Sequence, residues 1–95
     1  MLQKQAQIKK LKSEIPDIDK TVSNETYSKA DISKLEYFVS RIITLAESTK
    51  GFGGSSIIAR IRELQSDRIN YEDNLHIIIA NAKGLLDSLD IYLAR

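Results

Sequence analysis

The chain has no cysteine, no tryptophan, one histidine and one proline among its 95 residues. Without cysteine there are no disulfide staples, no thiolate zinc ligands and no cysteine nucleophile. His76 has no second His or Cys at ligand spacing, so it reads as a surface residue rather than a metal ligand or a catalytic base. An excess of one charge is missing as well: 14 Lys and Arg against 13 Asp and Glu leave a net charge of +1. Nucleic-acid binding requires a basic stripe that neutralises several phosphates. The one basic cluster, Lys4, Lys9, Lys10 and Lys12, has no aromatic residue interleaved. No run of about 18 apolar residues is present to span a membrane, and the Lys-rich start lacks the apolar stretch of an ordinary signal peptide.

What is there is helical periodicity. A hydrophobic fraction of 42% with 28% charged residues fits one ordered domain, residues 1–95. A chain this short has a thin core. Ile57, Ile61, Leu64, Arg68, Tyr71, Leu75, Ile78, Ala82, Leu85, Leu89 and Tyr92 follow each other at alternating spacings of four and three, and only Arg68 is charged. That a/d heptad predicts one continuous helix over about 56–94, about 58 Å long. A second stripe, Ile32, Leu35, Phe38, Val39, Ile42, Ile43, Leu45 and Ala46, predicts a helix over about 28–50. Ser28 and Asp31 are spaced as a capping box, and Gly51 stands where a helix ends. Leu2, Ala6, Ile8, Leu11 and Ile15 predict a short helix over about 2–15, ended by Pro16. The expected fold is all-α. It is an antiparallel helical hairpin with a broken first arm, a loop over 16–27, a turn over 51–55 and one long C-terminal helix. Length matching puts the N-terminal helix against Leu85, Leu89 and Tyr92, with its lysines near Asp87 and Asp90.

Two features are left over from this core. Ile77 falls at a c position, off the heptad seam, so it either packs under a loop or docks a further helix. Ile43 and Ile58 extend that surface onto the other arm. Phe52 is a large aromatic in the turn KGFGGSS, where small polar residues would serve the backbone better. It closes the hairpin or acts as a recognition element. A phosphate-binding reading of GFGG fails, because such loops follow a strand and here a helix precedes. Asp67, Glu72, Asp73, Asp87 and Asp90 lie mainly on solvated faces without the buried pairing that acid–base chemistry requires. The expectation is a non-catalytic protein with no metal, cofactor, small-molecule substrate or nucleic acid.

The aromatic-x-Gly turn at Phe52, Gly53 and Gly54, set between two helices, with Tyr92 40 positions on, resembles the WXG-type small helical proteins of type VII secretion. It is similar too to the small helical partners of LXG toxins. In that family Phe52 stands for the Trp, Gly54 for the Gly, and Tyr92 opens a Y-x-x-x-D/E export signal whose acidic position falls one residue beyond Arg95. The resemblance covers residues 28–95 and implies a chaperone or targeting factor. Such a factor pairs with a toxin domain or another small helical protein, with Phe52, Gly54, Ile77, Tyr92, Ile43 and Ile58 as the partner-binding set. It implies the bacterial cytoplasm, with export that uses no ordinary signal peptide. Two alternatives stand beside it. One is a bacteriocin immunity protein, a small helical bundle that engages a toxin's membrane receptor. It needs a fourth helix, for which Asp17 to Thr26 has little apolar periodicity. The other is a self-associating coiled coil of structural or phage type, a homodimer in which Arg68 sets register.

Overall fold

Ser28 and Asp31 close a reciprocal cap. The Ser28 hydroxyl accepts from the Asp31 N–H at 3.0 Å, and the Asp31 carboxylate accepts from the Ser28 N–H at 3.1 Å. The second helix starts there as the sequence leads one to expect. A computed structural model describes residues 2–95 as four helices. These are α1 (Leu2–Val22), α2 (Lys29–Glu47), α3 (Ser55–Ser66) and α4 (Tyr71–Ala94), with no strand among the described residues. The protein is all-α, and its extents are 39 × 25 × 15 Å.

Two expectations are corrected. The predicted helix over 56–94 is not continuous, because it breaks at residues 67–70 and folds back on itself. Periodicity says which face of a helix is apolar, and α3 and α4 satisfy it by facing each other. Ile58, Ile61 and Leu64 of α3 are buried where α3 packs on α4, whose own stripe buries Leu75, Ile78 and Ile79. An unbroken rod would have left much of that surface in water, and burying it outweighs the few helical backbone bonds given up at the break. Asp67 closes the turn by accepting from the Asn70 N–H at 3.2 Å and from its side-chain amide at 3.0 Å.

The second correction concerns the first arm. α1 does not stop at Ile15 but runs through Pro16 to Val22, so the expected loop over 16–27 shrinks to 23–28. Pro16 is exposed on the outer face. Ile18 and Thr21 lie beyond it and are buried, as Ile8 and Leu11 are before it. One apolar stripe thus crosses the proline, and its burial outweighs the lost backbone bond and the strain at Ile15. The hairpin with a broken first arm is in fact a four-helix arrangement.

α4 packs against all three other helices, with α1 lying along α2 and α4 and α3 lying along α4. Polar ties fix the directions. Gln5 donates to the Leu93 carbonyl at 3.3 Å, Lys12 meets Asp90 at 2.7 Å and Asp87 at 3.2 Å, and Lys83 meets Asp19 at 2.8 Å. α1 is therefore antiparallel to α4, and of its lysines it is Lys12 that meets Asp87 and Asp90, the carboxylates expected near them. Against α2, Lys4 donates to the Ser48 carbonyl at 2.5 Å and Lys34 meets Asp17 at 2.6 Å. The core between these helices centres on Phe38, Leu35, Ile42, Ile61, Leu85, Leu86 and Leu89.

Candidate functional site

The turn after α2 is built from glycine because its backbone needs left-handed geometry. Gly51, Gly53 and Gly54 have φ of 81, 85 and 77°, a region that other residues enter only with strain. The reversal brings Phe52 to the last turn of α4, where its ring lies 5.5 Å from that of Tyr92 at 62°, an edge-to-face pair. Tyr92 donates to the Lys50 carbonyl at 3.1 Å. A Cβ on Gly54 would stand 2.9 Å from Phe52 Cε2 and 3.1 Å from Leu85 Cδ1, so the absence of a side chain lets the ring seat. Phe52, Gly54 and Tyr92 thus form one cluster at one end of the bundle. Beside it an open cleft of about 530 Å3 is lined by Lys4, Thr49, Lys50, Tyr92, Leu93 and Arg95.

The other three expected partner-binding residues do not join this cluster as a surface. Ile43 is 6% exposed and Ile58 7%, so both belong to the core that four helices enclose. In a two-helix rod they would have faced outward, but α1 and the folded-back α3 add cover that the rod lacks. Ile77 is half-buried and packs against the same core.

A second surface was not read from the sequence. Along the α1–α2 seam, Arg41 forms a two-pronged charged bond with Glu14, one prong at 2.9 Å, and its guanidinium lies 4.4 Å over the ring of Tyr37. Tyr37 is 64% exposed. The fork holds the Glu14 carboxyl below its ordinary range, chiefly through the hydrogen bond from Arg41, and raises Arg41 in turn. Nε of Arg41 is buried and finds no partner among the described residues. The adjoining groove, about 500 Å3, is lined in part by Lys10, Leu11, Thr44 and Ser48. The signal was available: Tyr37 falls off the apolar stripe of α2, which leaves an aromatic ring for the surface. Among the residues whose exposure is described, Ile69 (94%) and Ile91 (61%) are the other large apolar ones left exposed.

Several ionisable groups tie one helix to another. Lys12 is raised above its ordinary value mainly by its bond to Asp90. Burial and a bond to Glu36 push Tyr71 up. Among the described residues no group of three or more His, Cys, Asp or Glu is placed to hold a metal ion, and no helix is long and apolar enough to cross a membrane. No protein-family profile matches the chain, and neither curated proteins nor solved structures yield a match.

Proposed function

We propose that this protein is a non-catalytic helical binder that acts in a bacterial toxin system, as an immunity protein of the four-helix kind working from the cytoplasm. The observation that carries this reading is the fourth helix. The sequence argued against an immunity bundle for want of one, and α1 to Val22 with α3 and α4 as separate helices supplies it. The chain's apolar faces are turned on each other, which suits a protein that folds alone and meets its partner through a pre-formed surface. The face best suited to that contact is the α1–α2 groove, where Arg41 is pinned by Glu14 and in turn props the exposed ring of Tyr37. Tyr and Arg held rigid in this way are the residue types that dominate binding energetics.

The secretion-partner reading is kept by a different observation, the aromatic-x-Gly turn with Tyr92 stacked on it. It is the weaker reading, because the hairpin fold of that family is not the arrangement here and the two aromatic anchors cover one another.

The two readings part on one experiment. The test searches the neighbouring reading frames for a toxin gene and expresses the chain in a strain sensitive to that toxin; neighbours without a toxin gene would count against both readings. Survival that is lost in Tyr37→Ala, with the variant still folded, supports the immunity reading. No protection, together with co-purification of the chain and the helical domain of a neighbouring LXG toxin, would transfer the function to secretion.

A further inference from the structure

The heptad seam does not stop at the break between α3 and α4. Leu64, Arg68, Tyr71 and Leu75 keep the four-three-four spacing through residues 67–70, in phase with both helices. The break holds neither Gly nor Pro. No residue in it takes a positive φ; Asp67 has φ −81 and ψ 89°, and Asn70 has φ −105 and ψ 17°. Measured against a straight helix, Asp67 departs chiefly at ψ and Asn70 by smaller turns at both angles, so the reversal uses negative-φ torsions at both positions that can rotate back to helical values. Apart from the packing of α3 on α4, what holds the reversal is local: the two bonds from Asn70 to Asp67, and a bond from the Asn74 amide to the Leu64 carbonyl at 3.4 Å. Ile69, in the middle, is almost wholly in water.

We propose that this hinge straightens and that two copies of the chain exchange α4. Each copy then contributes one helix running from Ser55 to Ala94, and the two long helices lie antiparallel, α3 of one copy against α4 of the other. The occupant of the surface is a second copy, because the interface already exists within the chain. Leu75, Ile78, Ile79, Ala82, Leu85 and Leu89 of α4 dock on the same α1, α2 and α3 surfaces in either form. The exchange therefore needs no new apolar face, and it closes on itself as a two-fold dimer. It gives up the Asp67 turn bonds and gains helical backbone bonds across residues 67–70. It also sets the two hinges side by side, where Ile69 of each copy gains cover. At low concentration the closed monomer is favoured, since its α4 is tethered to its own site. Exchange is expected after concentration or refolding at high concentration.

Two variants move the balance in opposite directions. Asp67→Ala with Asn70→Ala removes the turn bonds and places helix formers in the hinge, and should raise the dimerisation constant on the order of tenfold, both hinges losing their bonds. Glu72→Pro suits the first turn of α4 but removes a backbone donor and clashes in a continuous helix, and should abolish the dimer. Mass is read by light scattering. Exchange itself is read by zero-length carbodiimide coupling of Lys12 to Asp90, 2.7 Å apart across α1 and α4, in a mixture of unlabelled and 15N-labelled chains refolded together. The exchanged dimer gives mixed light–heavy Lys12–Asp90 peptides, while Lys34–Asp17, between α1 and α2, stays within one chain. A dimer whose Lys12–Asp90 links all lie within single chains would overturn the proposal. So would a wild-type chain and an Asp67→Ala, Asn70→Ala variant that both stay monomeric after refolding at high concentration.

Discussion

The hydroxyl of Tyr92 stands 2.8 Å from the point where a Cβ on Gly51 would be. Gly51 is needed there twice over, for its φ of 81° and for the space Tyr92 occupies. Gly51→Ala should therefore lower stability by about 1–2 kcal/mol. Gly53→Ala, with the same sign of φ but open space around it, should lose only the backbone part. In a Tyr92→Phe background the atom that clashes is gone, so Gly51→Ala should be less damaging. Urea unfolding of the four proteins in that cycle measures the coupling. Strict additivity would show that Tyr92 and Gly51 do not meet.

The residues explain which parts of this architecture were open to sequence reasoning. The start of α2 was legible because Ser28 and Asp31 are a local device, and the turn because Gly51 leaves few alternatives for the chain. The continuation of α1 was written in Ile18 and Val22, which keep the spacing of Ile8, Leu11 and Ile15, but Pro16 carried more weight than a proline on an outer face warrants. The break between α3 and α4 was the least legible. A heptad is the same whether its stripe meets another chain or folds back on itself, and only the pair Asp67 and Asn70, both turn formers, hinted at the reversal. That reversal and the extension of α1 together decided the fate of Ile43 and Ile58, whose burial depends on how many helices surround them. Phe52 stood out because an aromatic among glycines is unusual without a tertiary partner, but its contact with Tyr92 was not legible, since an unbroken helix over 56–94 would have put the two at opposite ends.

The fork between Glu14 and Arg41 sets an acid limit on stability. Glu14 titrates below its ordinary value of 4.5 in the folded chain, so protons bind the unfolded chain more readily. The contribution is present above about pH 4.5 and is lost as pH falls through the lowered folded value. For a pair that is only partly buried it is on the order of 1 kcal/mol. Glu14→Gln should remove that dependence and leave the guanidinium without its charge partner. Urea midpoints at pH 7 and pH 3 test this: the gap between the two pH values should narrow in the variant, and an unchanged gap would place the acid sensitivity elsewhere.

Pro16 withholds a backbone N–H from the Lys12 carbonyl inside a helix that continues on both sides. Its ring is exposed and packs into no core position, so Pro16→Ala restores one hydrogen bond and relieves Ile15 without opening a cavity. Stability should rise by about 1–3 kcal/mol. A fall in the thermal midpoint would mean that the proline's fixed geometry is what steers Ile18 and Thr21 into the bundle.

Ile77 and Ile69 give opposite expectations for the same substitution. Ile77 is half-buried against the core, so Ile77→Asp places a carboxylate where part of its surroundings is apolar and should lower stability by about 1–3 kcal/mol. Ile69→Asp changes a side chain that is already almost fully solvated and should leave the monomer's stability within about 0.5 kcal/mol. Circular dichroism with urea separates the two, and equal losses would mean that the residue 67–70 turn is packed more tightly than its exposure indicates. The same pair also divides the two surfaces. Ile69→Asp should reduce dimer formation, because the exchanged form brings two such side chains together. Ile77→Asp should weaken monomer and dimer alike, since α4 uses that face in both.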